Sequence, residues 1–380
     1  MELELSQEQT LLQQTARDFA TREVEPRAKQ LDRDSLWPGD LVTRLGELGM
    51  MGIAIPTEYG GAGFDHVGYA LAIEEVSRGC ASLGVIMSVN NSLACDPIVR
   101  HGSDFQKRTF LTPMAAGQTL GCFGLTEPMS GSDAGTMATF AERDGDGWLL
   151  NGSKNFITNG PHADLIIVFA MTKKNIGHKG ITAFIVPTNT PGFTASKHDE
   201  KLGIHAAHSC TVFFENCRVP DAQQLGAEGD GFKVAMSTLD GGRIGIAAQA
   251  LGIARAAYEK ALAYSKERKA FGTPLADKQA IQFMLADMAT DIDAARLLIH
   301  RAAYLKDKKQ RNTREAAMAK LFASEMSTRV THKALQIHGG LGYTQECDAE
   351  RHYRDARITE IYEGTSEIMR IVIAANVLRD

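Results

Sequence analysis

Four places in the chain carry residue types that could do chemistry together. Thr126-Glu127-Pro128-Met129-Ser130-Gly131-Ser132-Asp133 is a run of small hydroxyl and glycine residues. Such a turn brings backbone N–H and side-chain O–H groups against a polar ring edge or a phosphate. Phe156 supplies an aromatic face and Thr158 a hydroxyl two residues on, on the same side of an extended chain. Arg268 and Gln279 offer a guanidinium and an amide suited to a pyrophosphate, which arginine grips with paired hydrogen bonds. Glu363 stands in Ile361-Tyr362-Glu363-Gly364-Thr365-Ser366-Glu367-Ile368. In an apolar, water-poor site a carboxylate has a raised pKa and is a stronger base than in water. Each also has a plainer reading: a strand-connecting turn for Ser130 or Gly131, a core position for Phe156, a solvated cap for Arg268, a helix-capping role for Glu363.

Other chemistries lack their signals. No G-x-G-x-x-G, G-x-x-x-x-G-K-[ST], H-E-x-x-H or G-x-S-x-G occurs, so any nucleotide cofactor must be held another way. His198, His205 and His208 cluster without a nearby carboxylate pattern and read as surface or hydrogen-bonded residues, with no metal expected. The six cysteines have no C-x-x-C pair and read as free thiols, mostly buried. A net charge of −5 argues against a nucleic-acid partner, and the basic stretch from Lys306 to Arg314 reads as a solvated helix end and loop. No apolar run is long enough for a bilayer, so no membrane insertion is expected. Met1 to Gln14 does not resemble a secretory signal, which makes a cytoplasmic location the expectation, with a mature mitochondrial-matrix form as the alternative.

A chain of 380 residues needs two or three domains to hold these groups. Residues 1–120 carry helical patterns. Ser6 with Gln9 makes a capping box, Pro38 and Gly39 are expected to stop the first helix, and Leu41 to Met50 forms a second. Helical patterns resume from Val67 to about Ala116, with a new cap at Ser103 or Asp104. Residues 121–225 read as strands: the Asp144-Gly145-Asp146-Gly147 hairpin and the apolar runs 164–170 and 181–186. Residues 226–380 return to helices. Ile281, Leu285, Met288, Ile292, Ala295 and Ile299 form a bundle stripe, a long helix over 315–337 ends at Gly339 and Gly340, and a last helix begins at Ser366.

Five segments together resemble the acyl-CoA dehydrogenase family: Leu125 to Asp133, Phe156-Ile157-Thr158-Asn159-Gly160, Glu267-Arg268-Lys269-Ala270-Phe271-Gly272, Gln336-Ile337-His338-Gly339-Gly340-Leu341-Gly342-Tyr343, and Ile361 to Ile368. The resemblance covers essentially the whole chain. It implies an α+β multidomain fold with an N-terminal helical domain, a middle β-barrel or sandwich and a C-terminal four-helix bundle. It implies FAD as cofactor, lined by Phe123, Leu125, Thr126, Gly131, Ser132 and Ile157, with Phe156 against the isoalloxazine ring and Thr158 near N5. Ser132 also meets the acyl-CoA, and Thr365 and Glu367 join the cofactor set. By the same resemblance Arg268, Gln279, Gln336, Gly339 and Gly340 reach the FAD of a neighbouring subunit, which implies an obligate oligomer, a tetramer, and Phe271 belongs to the cofactor set.

Glu363 is then the base that takes the α-proton of an acyl-CoA thioester. Its own backbone N–H and a ribityl hydroxyl of FAD hold the carbonyl, and Gly364, Asp240 and Arg243 contact substrate. A few relatives place the base on another helix, where this chain has Gly242, which cannot serve. Leu239-Asp240-Gly241-Gly242-Arg243 and the following Ile244 to Gly252, with Glu367, resemble the short-chain or butyryl-CoA branch, and electron-transfer flavoprotein is the implied acceptor. Two departures stand out: Phe156 where many members carry Trp, and His205 where members commonly carry Arg. Medium-chain or branched substrates, oxygen as acceptor, and a non-catalytic flavoprotein of the same fold remain as alternatives.

Overall fold

The computed structural model describes residues 4–379. Its helices begin with α1 (Gln7–Phe19), α2 (Glu25–Arg33), α3 (Gly39–Glu47), α4 (His66–Gly79), α5 (Ala81–Ser88), α6 (Asp96–His101) and the short α7 (Asp104–Gln106) and α8 (Thr112–Ala115). Both capping boxes form: Ser6 with Gln9, and Ser103 with Gln106. The first helix does not run to Pro38. It breaks off at Arg33 because Ser35 turns left-handed, and Pro38 and Gly39 open α3 instead of stopping a helix. α3 also ends earlier than Met50, which belongs to a separate 3₁₀ turn. Three stretches, Ala20–Val24, Val89–Cys95 and Lys107–Leu111, wind as π-helix, with one residue more per turn than sequence periodicity anticipates.

The middle of the chain forms β1 (Gly121–Gly124), β2 (Phe140–Asp144), β3 (Gly147–Thr158), β4 (Leu165–Met171), β5 (Ile181–Pro187), β6 (Phe193–Ala195), β7 (Ser209–Pro220) and β8 (Gln224–Leu225). They make one mixed sheet in the order β6-β7-β3-β2-β4-β5-β8, with β1 parallel to β4. The β4 and β5 runs are continuously apolar because both faces are covered. Ile166, Val168, Ala170, Phe184 and Val186 pack into the sheet's own core, whereas Ile167, Phe169, Ala183 and Ile185 pack into the core shared with the helices.

The last part holds α9 (Gly231–Glu267), a two-stranded ribbon of β9 (Lys269–Ala270) and β10 (Thr273–Pro274), then α10 (Gln279–Asp307), α11 (Thr313–His338), α12 (Ala349–Ile358) and α13 (Ser366–Val377). α9 is buried on every side from Gly241 to Ala257, as expected of a helix without a polar face. On α10, Met288, Ile292, Ala295 and Ile299 are buried along the expected stripe, while Ile281 and Leu285 sit half-covered at its start. Five cysteines are buried, Cys347 is partly so, and all six are free.

Candidate active site

A cleft of about 620 Å³ opens where the three parts meet. Its walls come from the α5–π segment (Val85, Val89, Leu93), the β1–β2 and β3 regions (Phe123 to Ser132, Asn155 to Thr158), α9 (Met236, Leu239, Arg243) and the turn between α12 and α13. Of the residues singled out from sequence, Phe123, Leu125, Thr126, Gly131, Ser132, Phe156, Ile157, Thr158, Arg243, Glu363, Gly364 and Thr365 line it together. Ile157 packs its side chain into the β core.

The aromatic end of the cleft is built by a break in β3. Pairing with β7 shifts register between Lys154 and Ile157, and Phe156 takes a left-handed backbone (φ 58°). The extended-chain premise for Phe156 and Thr158 therefore fails at this bulge, though both residues still line the cleft. Phe156 is 69% exposed, so it is no core residue. The hydroxyl turn opposite is anchored from behind. Glu127 accepts from Ala138 N at 2.5 Å and Thr139 N at 3.0 Å, and pairs with the fully buried Lys154 at 2.7 Å. A Cβ at Gly131 would meet nothing within 4 Å, so this turn leaves open room beside it. An exposed aromatic face, the Thr126, Ser132 and Thr158 hydroxyls and that open turn fit a flavin ring.

At the other end stands Glu363, with a left-handed backbone (φ 52°) followed by Gly364 at φ 101°. A non-glycine residue held there costs on the order of 1–2 kcal/mol. The turn is held from three sides. Lys320 Nζ donates to Gly364 O at 2.6 Å, Ser366 N donates to Glu360 O at 3.0 Å, and Thr365 caps α13 by accepting from Ile368 N. The cap is thus Thr365, not Glu363. Burial pushes the Glu363 carboxyl up to about 7, with Lys320 and then Arg243 pulling it back. Its Oε2 is buried and has no hydrogen-bond partner. Beside it, Tyr362 donates to Gln249 Oε1, and Arg243 pairs with Asp240 at 2.8 Å.

Gly242 has a role beyond its inability to act as a base. A Cβ there would lie 2.1 Å from Glu363 Oε2, so the carboxylate occupies the space that the missing side chain leaves. Asp240 lies off the lining, its carboxylate taken by Arg243 and by Thr313 Oγ1 at 2.7 Å. Glu367 is also off the lining, exposed on the first turn of α13. Arg268, Phe271, Gln279, Gln336, Gly339 and Gly340 lie off the lining too, all exposed, with Phe271 at 99%. The sequence reading missed Asn155, the wall from Lys201 to Ile204, Arg354 and Arg357. Lys-Leu-Gly at 201–203 was visible as a motif, but nothing local ties it to this cleft. His205 keeps an ion pair where Arg is common: Nδ1 lies 3.2 Å from Asp32, which Arg354 also grips at 2.7 Å. His198 and His208 stack on one another, and among the described residues no cluster has the makings of a metal site. No described helix is long and apolar enough to cross a membrane.

Two helical parts flank a β part, and a cleft lined from all three holds an exposed aromatic face, hydroxyls and an unpartnered carboxylate oxygen. Family models for the acyl-CoA dehydrogenase N-terminal, middle and C-terminal domains match residues 6–118, 122–217 and 229–378. The chain is 54% identical over 377 residues to a bovine (Bos taurus) short-chain specific acyl-CoA dehydrogenase, covering 99% of this chain and 92% of that one. Butyryl-CoA dehydrogenase from Megasphaera elsdenii superposes with a TM-score of 0.98 at 45% identity, covering all of both chains. A chain from a structure of the electron transferring flavoprotein of Acidaminococcus fermentans, concerned with flavin-based electron bifurcation, gives 0.99 at 48%, again over both whole chains. The chain belongs to the acyl-CoA dehydrogenase family, and is a flavoprotein oxidoreductase that dehydrogenates acyl-CoA thioesters.

Proposed function

We propose that this protein removes hydrogen from the α and β carbons of a short-chain acyl-CoA, giving the trans-2-enoyl-CoA, with Glu363 as the base. One observation carries the assignment: a half-buried glutamate whose Oε2 is itself buried and has no partner, aimed into a largely apolar cleft and held on a strained turn. A thioester α-proton is a weak acid, so its removal needs a fixed base and donors that stabilise the developing charge on the carbonyl oxygen. With its pKa near 7, Glu363 is ionised at neutral to alkaline pH yet basic enough to accept that proton. The Glu363 backbone N–H is the protein's donor to the thioester carbonyl, Arg243 and Gly364 lie beside it, and Asp240 acts through Arg243.

FAD is the cofactor that the cleft residues suit, and when bound it supplies the acceptor for the β-hydride. Phe123, Leu125, Thr126, Gly131, Ser132, Phe156, Ile157, Thr158 and Thr365 hold it from this chain, with Ser132 also touching the acyl-CoA. Arg268, Phe271, Gln279, Gln336, Gly339 and Gly340, exposed and away from this chain's own cleft, serve the site of a second copy in a homotetramer. The butyryl-CoA and short-chain relatives support the short acyl length, and the flavoprotein neighbour supports electron-transfer flavoprotein as acceptor. The domain limits that go with this reading are 1–120, 121–225 and 226–380, and the compartment is the cytoplasm.

The test is anaerobic titration of the purified yellow protein with butyryl-CoA, octanoyl-CoA and isovaleryl-CoA, alongside Glu363→Gln. Butyryl-CoA is expected to bleach the wild type best, and the variant is expected to bind without bleaching. Better bleaching by octanoyl-CoA or isovaleryl-CoA would overturn the short-chain assignment, and full bleaching of Glu363→Gln would overturn the base.

A further inference from the structure

Lys320 on α11 is fully buried, as is Lys154. Lys154 has its counter-ion in Glu127 at 2.7 Å. Lys320 instead spends its hydrogen bond on a backbone carbonyl, Gly364 O at 2.6 Å. Burying an ammonium costs several kcal/mol, and an apolar side chain of similar volume is often as stabilising. Its placement therefore points to the site it touches. The carbonyl it holds belongs to the residue after Glu363, within the pair of left-handed backbones that aims the carboxylate.

The charges around this carboxylate come from several elements. Tyr69 faces it from α4, Arg243 from α9, Lys320 from α11, and Tyr362 precedes it in the chain. Glu360 and Glu367 act on Lys320 from the same turn and from α13, and Asp96 acts on Tyr69. Among the described residues Lys320 and Arg243 bring positive charge to Glu363, and Lys320 has the larger effect. Arg243 is already engaged by Asp240.

We infer that Lys320 is a positioning residue for the dehydrogenation: its ammonium clamps the Gly364 carbonyl, fixing the Glu363 backbone, and brings a positive charge to the turn that carries the Glu363 carboxylate. This rests on Glu363 being the base. Lys320 does not line the cleft. It acts through the turn and through its field.

The experiment uses the flavin-loaded enzyme with butyryl-CoA, measuring kcat and KM across the acid limb of the pH profile. The variants are Lys320→Met, Lys320→Gln and Lys320→Arg, with Glu363→Gln as control. Lys320→Met is expected to move the acid limb upward by about one pH unit and to lower kcat at neutral pH roughly 10- to 100-fold, with KM little changed. Lys320→Gln keeps a donor for Gly364 O, so it recovers kcat on the alkaline side while its acid limb stays displaced. Lys320→Arg keeps the charge and with it the wild-type limb. The carboxyl infrared band lost in Glu363→Gln, followed against pH without substrate, is expected to titrate higher in Lys320→Met. An unmoved limb and band in both uncharged variants would overturn the inference even if kcat fell, since lost packing alone would explain that. If the uncharged variants fail to load flavin, a displaced limb in Lys320→Arg overturns it and a retained one supports it. Full activity in Glu363→Gln would overturn the base assignment itself, whatever the lysine variants do.

Discussion

Replacing Gly242 with alanine isolates the placement of the Glu363 carboxylate from the stability of the fold. The new Cβ would lie 2.1 Å from Glu363 Oε2, 3.1 Å from Glu363 Cδ and 2.8 Å from Leu93 Cδ2. Leu93 lies in the cleft wall on a buried π segment, 5% exposed, so the carboxylate is the group expected to move. Two effects on stability oppose each other. Alanine is better than glycine inside a helix by about 1 kcal/mol, and overpacking costs about 1–3 kcal/mol. The melting temperature should change by only a few degrees. Catalysis has no such compensation, because a displacement of about 1 Å at a reacting group costs about 100-fold. Gly242→Ala is therefore expected to lower kcat for butyryl-CoA about 100-fold while retaining flavin. The neighbouring Gly241→Ala is the control, since its Cβ would meet Lys306 Nζ, the far end of a flexible side chain paired with Asp96 at 3.2 Å, and kcat should stay within about threefold. A Gly242→Ala enzyme within about twofold of wild type would refute the reasoning, as would a structure of it with Glu363 undisplaced.

Buried charge sets two further outcomes. Glu363 is raised from 4.5 to about 7, so its burial leaves stability intact below pH 4.5 and removes stability as the pH rises through 7. Glu363→Gln should thus be more stable than wild type at pH 8, by on the order of 3 kcal/mol, and gain little at pH 5; a melting-temperature difference that does not grow with pH would count against this. Lys154→Met leaves the Glu127 carboxylate buried without its counter-ion, and removal of one such partner costs about 3–5 kcal/mol. It should lower the melting temperature and release flavin together, as read by thermal melts and the visible spectrum; a variant that melts early but keeps its flavin would show that Glu127 does not organise the turn.

Features decided locally were legible in the sequence. The Ser6 capping box, the Asp144–Gly147 hairpin and the end of α11 at Gly339 each depend on residues a few positions apart and formed as expected, and of the two caps open at Ser103 and Asp104 it is Ser103 that serves. The apolar runs of β4 and β5 announced strands, and the structure covers both of their faces. Ser35, Phe156 and Glu363 hold left-handed backbones that their residue types do not favour, so no local signal marked them. The wall from Lys201 to Ile204 was hidden for a different reason. It meets the cleft because Ile204 N donates to Asp355 at 2.6 Å and Asp32 is gripped by both His205 and Arg354, contacts that span 150 residues or more.

The π-wound turn from Val89 to Cys95 bears on how such a cleft can change over evolutionary time. Its residues are tied to their surroundings by Asn90, which bonds Met51 O, Met114 O and Gly121 N, and by Asn91, which bonds Ile53 N, Met50 O and Met87 O. Losing one residue here would tighten the turn to α and rotate α6 by about 100° relative to α5. Leu93 would leave the cleft while Val85 stayed, and the asparagine anchors would face the wrong carbonyls. Length change in this segment is therefore closed to gradual adjustment. Side-chain exchange at Val85, Val89 and Leu93 is the route by which one scaffold can be refitted to a different acyl tail.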